Sequence, residues 1–402
     1  KHKRIDFMRE EMTTLGDSCQ FFNGKAHEKD IDAEGQFVVV NSKFISTDGE
    51  VKKFTAKQMF PLIEDDIVMV MSDVPNGKAL AKCYVIEEND KYSLNQRICA
   101  IRTTEFNIRF LYYQLNRHPY LLAFNNGENQ TNLRKGDILN CPLWKPSIDV
   151  QEQIVKILDE GLDQIEQAKF NIEQNINNTK ELFQSKLYDI FSQKADGWEE
   201  RILGEIGEVQ TGTTPSTKDK TNFGDYIPFA KPPHFQENGQ IDTKDSMLSR
   251  SGLEKGRLFK ANSILMVCIG ATIGKTGFSE KPISSNQQIN ALTPTNDYVP
   301  KLLYYALISP FVQNQVMSVG KSAQATLPII NKSKWLKLKI NLPKDKSIQT
   351  QIIETLDNLK EFCIETELNY QKKLENLEDL KKSILQRAFS GGLVKQQQPI
   401  TI

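Results

Sequence analysis

The sequence predicts an α+β fold built by internal duplication: two mixed α/β domains, each followed by one long helix, with the two helices pairing through a heptad stripe. Three observations predict it. First, residues 151–192 and 349–390 superimpose at an offset of 198 positions, with identities at Gln151/Gln349, Ile154/Ile352, Leu158/Leu356, Asp159/Asp357, Leu182/Leu380 and Phe191/Phe389. A repeat is read before any local feature because it sets the architecture. Second, neither copy contains Pro, and apolar residues return in steps of three and four: Leu158, Leu162, Ile165, Ile172, Ile176, Thr179 and Phe183, then Leu356, Leu359, Cys363, Tyr370, Leu374, Leu377 and Ile384. Such a stripe is a coiled-coil seam, and about 40 residues at 1.5 Å each give a helix of roughly 60 Å. Third, the stretch before each helix also recurs, as the following pairs show.

In chain order, residues 1–13 form a charged lead-in, and the opening Lys1 is expected to fall inside a longer natural chain. Thr14-Leu15-Gly16-Asp17 and Gly24 return as Ile202-Leu203-Gly204-Glu205 and Gly212. Val39–Phe44 has its echo in Ile227–Pro232. Ile67–Val70 and Ile264–Val267 read as short buried strands, followed by the turns Gly77-Lys78 and Gly274-Lys275. Asn95-Gln96 answers Asn286-Gln287, and Leu111–Leu115 answers Leu303–Leu307, a predicted amphipathic helix. The offset drifts, so the second copy holds about ten further loop residues. Turn-rich boundaries at Pro146-Ser147, Lys194–Gly197 and Pro343–Asp345 divide the chain into a first domain (1–148), first helix (149–194), second domain (195–345) and second helix (346–392). The Gln-rich residues 393–402 are expected to be a disordered tail.

At 402 residues the chain has length for two or three domains. No apolar run approaches the roughly 18 residues a membrane span needs. The net charge is zero, which argues weakly against a nucleic-acid binder; the distribution softens this, since the helices are slightly acidic and the remainder slightly basic. Six scattered cysteines without a Cys-x-x-Cys pair fit a reduced, cytoplasmic setting rather than a disulfide framework or a zinc site.

Positive signs of catalysis are absent. Gly270-Ala-Thr-Ile-Gly274-Lys275-Thr276 has three residues between its glycines where a phosphate loop needs four, so it reads as a strand-connecting turn. Asn116-Arg117-His118-Pro119-Tyr120 lacks the first proline of a base-methylating loop and reads as a helix end. Glu50-Val-Lys52 reads as a solvated loop, and His2, His27, His118 and His234 have no ligand spacing.

Taken in order, these residues resemble the DNA specificity subunit of type I restriction–modification enzymes, over essentially the whole chain. The resemblance lies in the duplicated order of domain and helix. It lies also in Trp198–Gly207 with Thr211-Gly-Thr-Thr-Pro-Ser216, in Gly270–Lys275, in Asn286-Gln287-Gln288 and in Ser383–Gly391. The first half departs more: Phe22-Asn-Gly-Lys25 lacks the Thr-Pro-Ser, and Val74–Lys78 is a partial match. The resemblance implies two target-recognition domains, each reading half of a split, asymmetric sequence in double-stranded DNA. Between them the two long helices would pair as an antiparallel coiled coil and act as a ruler. It further implies two methyltransferase subunits docked on the helices, with motor–nuclease subunits joining for restriction. S-adenosylmethionine, ATP and Mg would belong to those partners, and this chain would bind no cofactor and catalyse nothing.

Base reading needs Arg or Lys for guanine and Asn or Gln for adenine, while cations and hydroxyls hold phosphates. The DNA-facing candidates of the first domain are Lys25, Lys29, Asn41, Ser42, Lys43, Lys78, Asn95, Gln96, Arg97, Gln130, Asn132, Arg134 and Lys135. Those of the second are Thr213, Thr214, Ser216, Lys218, Lys231, Asn286, Gln287, Lys321, Ser322 and Gln324. For each the alternative is a solvated loop residue, which about two in three are expected to be, and Asn286 and Gln287 could equally hold their own loop. Apolar residues beyond the seam, Leu187, Ile190 and Phe191 with Leu385, Ala388 and Phe389, are expected either to meet a methyltransferase subunit or to pack under a recognition domain. The competing functions are a coiled-coil assembly scaffold without DNA binding, a nucleotide hydrolase on Gly274-Lys275-Thr276, and a specificity subunit of a methylation-only system.

Overall fold

The computed structural model describes residues 11–27, 29–75, 77–320, 328–390 and 392–393. The expectations for residues 1–10, for Lys321, Ser322 and Gln324, and for the tail beyond Leu393 lie outside the described residues. The first long helix is Ile148–Ser192 and the second is Lys346–Phe389. The chain groups into two compact units: residues up to Phe170 with those from Leu374 onward, and Asn171–Lys373. Each long helix therefore gives one half to each unit.

Unit 1 holds β1 (Gln20–Asn23), β2 (Phe37–Val40), β3 (Ile67–Val70), β4 (Cys83–Val85), β5 (Tyr92–Leu94) and β6 (Ile98–Arg102). Four of them form an antiparallel sheet in the order β1-β6-β3-β4. Beside it, β2 pairs in parallel with β5. Strand side chains alternate between faces. Ile67 and Met69 join the cluster of Phe110, Leu111, Ile154 and Leu158, under the short helix Ile108–Leu115. Val68 and Val70 face Val38, Phe44 and Tyr92. Both faces of the strand are covered, which is why it reads as an unbroken apolar run. Burial pushes the thiols of Cys99 and Cys141 up to about 12, so they pack as small apolar groups.

Unit 2 repeats this plan with β7 (Gly207–Thr211), β8 (Phe223–Ala230), β9 (Ser263–Val267), β10 (Thr276–Ser279), β11 (Ile283–Ser285) and β12 (Ile289–Pro294). The antiparallel order β7-β12-β9-β10 matches β1-β6-β3-β4 strand for strand, and β8 runs parallel to β11 as β2 does to β5. Ile264 and Met266 face one core, Leu265 and Val267 another. The helix Pro300–Ile308 takes the place of Ile108–Leu115. It is not amphipathic as expected: Leu302–Leu307 are all buried, packed in the core with strands, the helix Pro310–Gly320 and the long helices.

Every stripe residue of the long helices is buried or half-buried, whereas Phe170, Leu182, Phe362, Leu368 and Leu380, off the stripe, are exposed. In unit 1 Lys381 donates to Glu166 at 2.9 Å and Lys169 to Glu378, a crossing of numbers that makes the segments antiparallel. In unit 2 the Cys363 thiol donates to the Thr179 carbonyl at 3.6 Å.

The six residues beyond the seam pack, wholly or in part, within the two units. Leu187, Ile190 and Phe191 lie in the core of unit 2 with Leu203, Trp335 and Leu356. Ala388 is fully buried in unit 1, where Leu385 packs and the Phe389 ring meets Phe110 at 5.4 Å. Leu187, Ile190, Phe191 and Ala388 are buried under the chain's own domains, the second of the two alternatives, while Leu385 and Phe389 keep part of their surface.

Candidate functional site

In each unit the candidate polar residues collect where the parallel strand pair ends. In unit 1, β2 runs out into Asn41 and β5 into Asn95, whose N–H donates to the Val40 carbonyl at 3.2 Å. Lys25 bridges to Asn95, and its N–H donates to Leu94 at 3.0 Å. Met71, just past β3, donates to the Arg97 carbonyl at 3.0 Å and accepts from Leu133 at 2.8 Å. The Gln130 amide donates to Ser72 at 2.8 Å, and Asn132 pairs with Ser72. These contacts bring Lys25, Asn41–Lys43, Asn95–Arg97 and Gln130–Asn132 onto one edge. Lys78 and Lys135 are anchored elsewhere: the Lys78 carbonyl accepts from Arg117, and the Lys135 ammonium lies 5.6 Å from the Phe21 ring centre. Lys25, Lys29, Lys43, Lys78, Arg97, Arg134 and Lys135 are all exposed.

Unit 2 builds the same edge. Asn286 N–H donates to Ala230 at 3.1 Å, Thr213 N–H to Ser285 at 2.9 Å, and Gly212 N–H to Ile289 at 3.0 Å. The Thr214 hydroxyl donates to Gln287 Oε1 at 2.6 Å. Gln287 is exposed. Lys231 closes the end of β8, with its ammonium 5.6 Å from the Phe229 ring centre. The Ser216 carbonyl accepts from Asn222 at 3.0 Å, and Ser216 and Lys218 are exposed.

The frame demands glycine at one equivalent place in each unit. A Cβ on Gly24 would lie 1.9 Å from the Asn95 carbonyl oxygen, and one on Gly212 would lie 2.1 Å from that of Asn286. Both glycines let two backbones close at the edge, where a side chain would force the loops apart.

Several asparagines are spent on the frame. Asn41 caps the helix Ser42–Ser46 by accepting from Phe44 N at 2.9 Å. Asn95 Oδ1 accepts from Gln96 N at 2.7 Å. Asn286 uses both ends of its amide: Nδ2 donates to Gln288 Oε1 at 2.9 Å, and Oδ1 accepts from Gln288 N at 3.2 Å. Here the loop-holding alternative describes the contacts, and Gln287 is left as the outward amide. Arg134 begins the helix Lys135–Leu139, its N–H donating to Asp137 at 2.8 Å.

Sequence reasoning missed two supports. His27 is fully buried: its Nδ1 donates to the Lys25 carbonyl at 2.6 Å, and its Nε2 pairs with the Ser93 hydroxyl at 2.8 Å. A lone histidine between lysines carries no signal for this. Gln151/Gln349 and Asp159/Asp357 were visible as identities, but nothing in their spacing said what they hold. The segment Gly270–Lys275 closes the hairpin between β9 and β10, with Gly274 at φ +89°. Among the described residues no group of three His, Cys, Asp or Glu side chains could hold a metal ion, and no helix is long and apolar enough to cross a membrane.

Comparison with known proteins gives this twofold frame a lineage. Residues 10–178 and 195–376 each match the type I restriction modification DNA specificity domain. The type I restriction enzyme HindI specificity subunit of Haemophilus influenzae is 30% identical over 200 residues, or 48% of this chain. That alignment spans 41% of the relative's own length, so the chain covers less than half of it. The EcoBI specificity subunit of Escherichia coli is 25% identical over 351 residues, covering 75% of this chain and 70% of the relative. A chain solved in work on complex assembly and conformational transition of the type I R-M system has the same fold, with a TM-score of 0.75 at 17% identity over 95% of this chain and 98% of that one. Matched on both halves and folded alike twice over, the chain belongs to the type I restriction–modification DNA specificity family.

Proposed function

We propose that the chain is the non-catalytic DNA-reading subunit of a type I restriction–modification assembly. Each unit reads one half of a split, asymmetric site in double-stranded DNA. Two methyltransferase subunits supply S-adenosylmethionine chemistry, and motor–nuclease subunits, when present, supply ATP and Mg chemistry. On this reading the chain works in the cytoplasm.

The observation that carries the proposal is the pair of edges. The backbone frame is the same in both units, down to Gly24 and Gly212, but the side chains it presents differ. Lys25, Asn41 and Arg97 of unit 1 stand where unit 2 has Thr213, Lys231 and Gln288, while Gln96 and Gln287 are alike. A scaffold would have no use for one frame carrying two chemistries, whereas two readers of different sequences require it. Thr214 occupies one lone pair of Gln287 Oε1, which leaves the amide N–H groups and the second lone pair for an adenine edge.

The test separates Gln287 from Asn286. In selection from a random duplex pool at fixed salt, Gln287→Ala should relax preference at one or two positions of one half-site, by about 1–3 kcal/mol. The other half-site should be unaffected. Asn286→Ala should weaken binding to every sequence and lower the melting temperature, because it removes a loop support. Relaxed preference in both half-sites for Gln287→Ala would refute modular reading.

A further inference from the structure

The two units carry the same polar latch between the short helix and the long one. In unit 1, Gln151 is fully buried. Its Oε1 accepts from Asn107 N at 2.9 Å, and its Nε2 donates to the Pro146 carbonyl at 2.8 Å. Asn107 is the cap of the helix Ile108–Leu115. About two turns further along the long helix, Asp159 accepts from the Tyr113 hydroxyl and from Arg109 Nη2 at 2.8 Å. In unit 2, Gln349 is fully buried, accepts from Val299 N at 2.8 Å, and donates to Pro343 at 2.9 Å and Asp297 at 3.2 Å. Val299 is the cap of Pro300–Ile308. Asp357 then accepts from the Tyr305 hydroxyl and from Lys301 Nζ at 2.7 Å.

Apolar packing is non-directional, so the cores alone would let a short helix slide or turn on its neighbour. Hydrogen bonds are directional. Two of them about two turns apart fix both the position and the angle of one helix on the other. Burial first, and the facing carboxylate second, raise the Tyr113 phenol to about 12 and hold Tyr305 higher still, so both remain protonated donors. The short helix packs on one face of the central strand, Leu302 and Leu303 with Ile264 and Met266, and Phe110 and Leu111 with Ile67 and Met69. The other face of that strand packs against the strands that carry the edge, Leu265 and Val267 with Ala230 and Ile283, and Val68 and Val70 with Val38 and Tyr92. Whatever fixes the short helix fixes the edge.

We infer that Gln151 with Asp159, and Gln349 with Asp357, are positioning residues: they set the angle of each recognition domain on the long helices, and so the spacing at which the two half-sequences are read. The inference rests on the DNA-reading function proposed above. The copies differ in the cap residue, Asn107 against Val299, and in the cation, Arg109 against Lys301, which lies at the exposed rim of the latch.

The experiment is selection from a random duplex pool by the full chain, co-purified with its methyltransferase subunits. The readout is the preference for the commonest spacing over spacings one base pair longer or shorter. A hydrogen bond to a charged group contributes about 1.5–3 kcal/mol, so Tyr305→Phe should reduce that preference about tenfold or more. The bases chosen within each half-site should not change, and Lys301→Arg should keep the wild-type spacing. Tyr113→Phe tests the second latch independently and should act the same way, and it serves if the first variant folds poorly. Spacing as sharp as wild type in both tyrosine variants, with only a lower melting temperature, would overturn the latch while leaving the DNA-reading function intact. A wild-type chain that selects no split sequence would instead overturn that function, and the inference with it.

Discussion

Replacing Phe191 by Ala should destabilise unit 2 by about 3–5 kcal/mol in the chain alone, and Phe191→Asp should cost more because it buries a charge without a partner. Phe191 has no exposed surface and packs with Leu187, Leu203, Trp335 and Leu356. Its carbonyl also accepts from the buried Asn341 side chain at 3.0 Å, so a shift of the helix end is felt in the adjoining strand Lys339–Pro343. The measurement is a denaturant melt of the purified chain without any partner. Phe389→Asp should act on unit 1 in the same way but less strongly, since that ring is only half-buried. A Phe191→Asp chain that melts like wild type and merely loses a partner would show the side chain to be an external surface after all.

Removing Lys25, Lys43 and Arg97 together should weaken DNA binding at every sequence. These three cations stand on the unit 1 edge, exposed and carried by three different segments, Lys43 by the helix Ser42–Ser46. If each neutralises a phosphate, the slope of log affinity against log salt should become shallower by about 0.9 for every phosphate left without its cation, up to about 2.7 for the triple alanine variant. Charge removal acts without regard to sequence, so base preferences in the unit 2 half-site should persist. The assay is a salt titration of binding to one duplex taken from the selected pool. An unchanged slope would place the phosphate-binding groups of unit 1 elsewhere.

The duplication and the two helices were legible because each rests on many residues acting together. Fourteen stripe positions must all turn the same way, and a repeat that keeps Gln151/Gln349 and Leu158/Leu356 in register leaves little freedom in the architecture. The strands Ile67–Val70 and Ile264–Val267 were legible because a strand covered on both faces is apolar throughout. Single side chains were harder to read. Phe191 and Phe389 lie off the seam, and periodicity alone does not distinguish a domain of the same chain from a second protein as the thing that covers them. Asn286 and Gln287 are adjacent amides of nearly the same chemistry; only the position of Gln288 turns one inward. The helix Leu303–Leu307 looked one-sided because its partner Leu111–Leu115 is, and nothing local told that the second copy would be enclosed.

The sharing of each long helix between the units bears on the order of synthesis. Unit 2, Asn171–Lys373, is one continuous stretch, and its core can close as soon as that stretch has left the ribosome. Unit 1 is made first but closed last, because Ala388, fully buried, and the Phe389 ring against Phe110 belong to its core. At about 5–20 residues per second, the interval between Phe170 and Leu374 lasts on the order of 10–40 s. During that time the apolar surface around Phe110 lacks its cover. The pairing that completes the first half of the molecule is the most distant one in the sequence, and such long-range closure is the slow and aggregation-exposed kind. The duplication thus yields two similar halves with unequal histories: the later one is a single continuous stretch, and the earlier one waits for the second long helix.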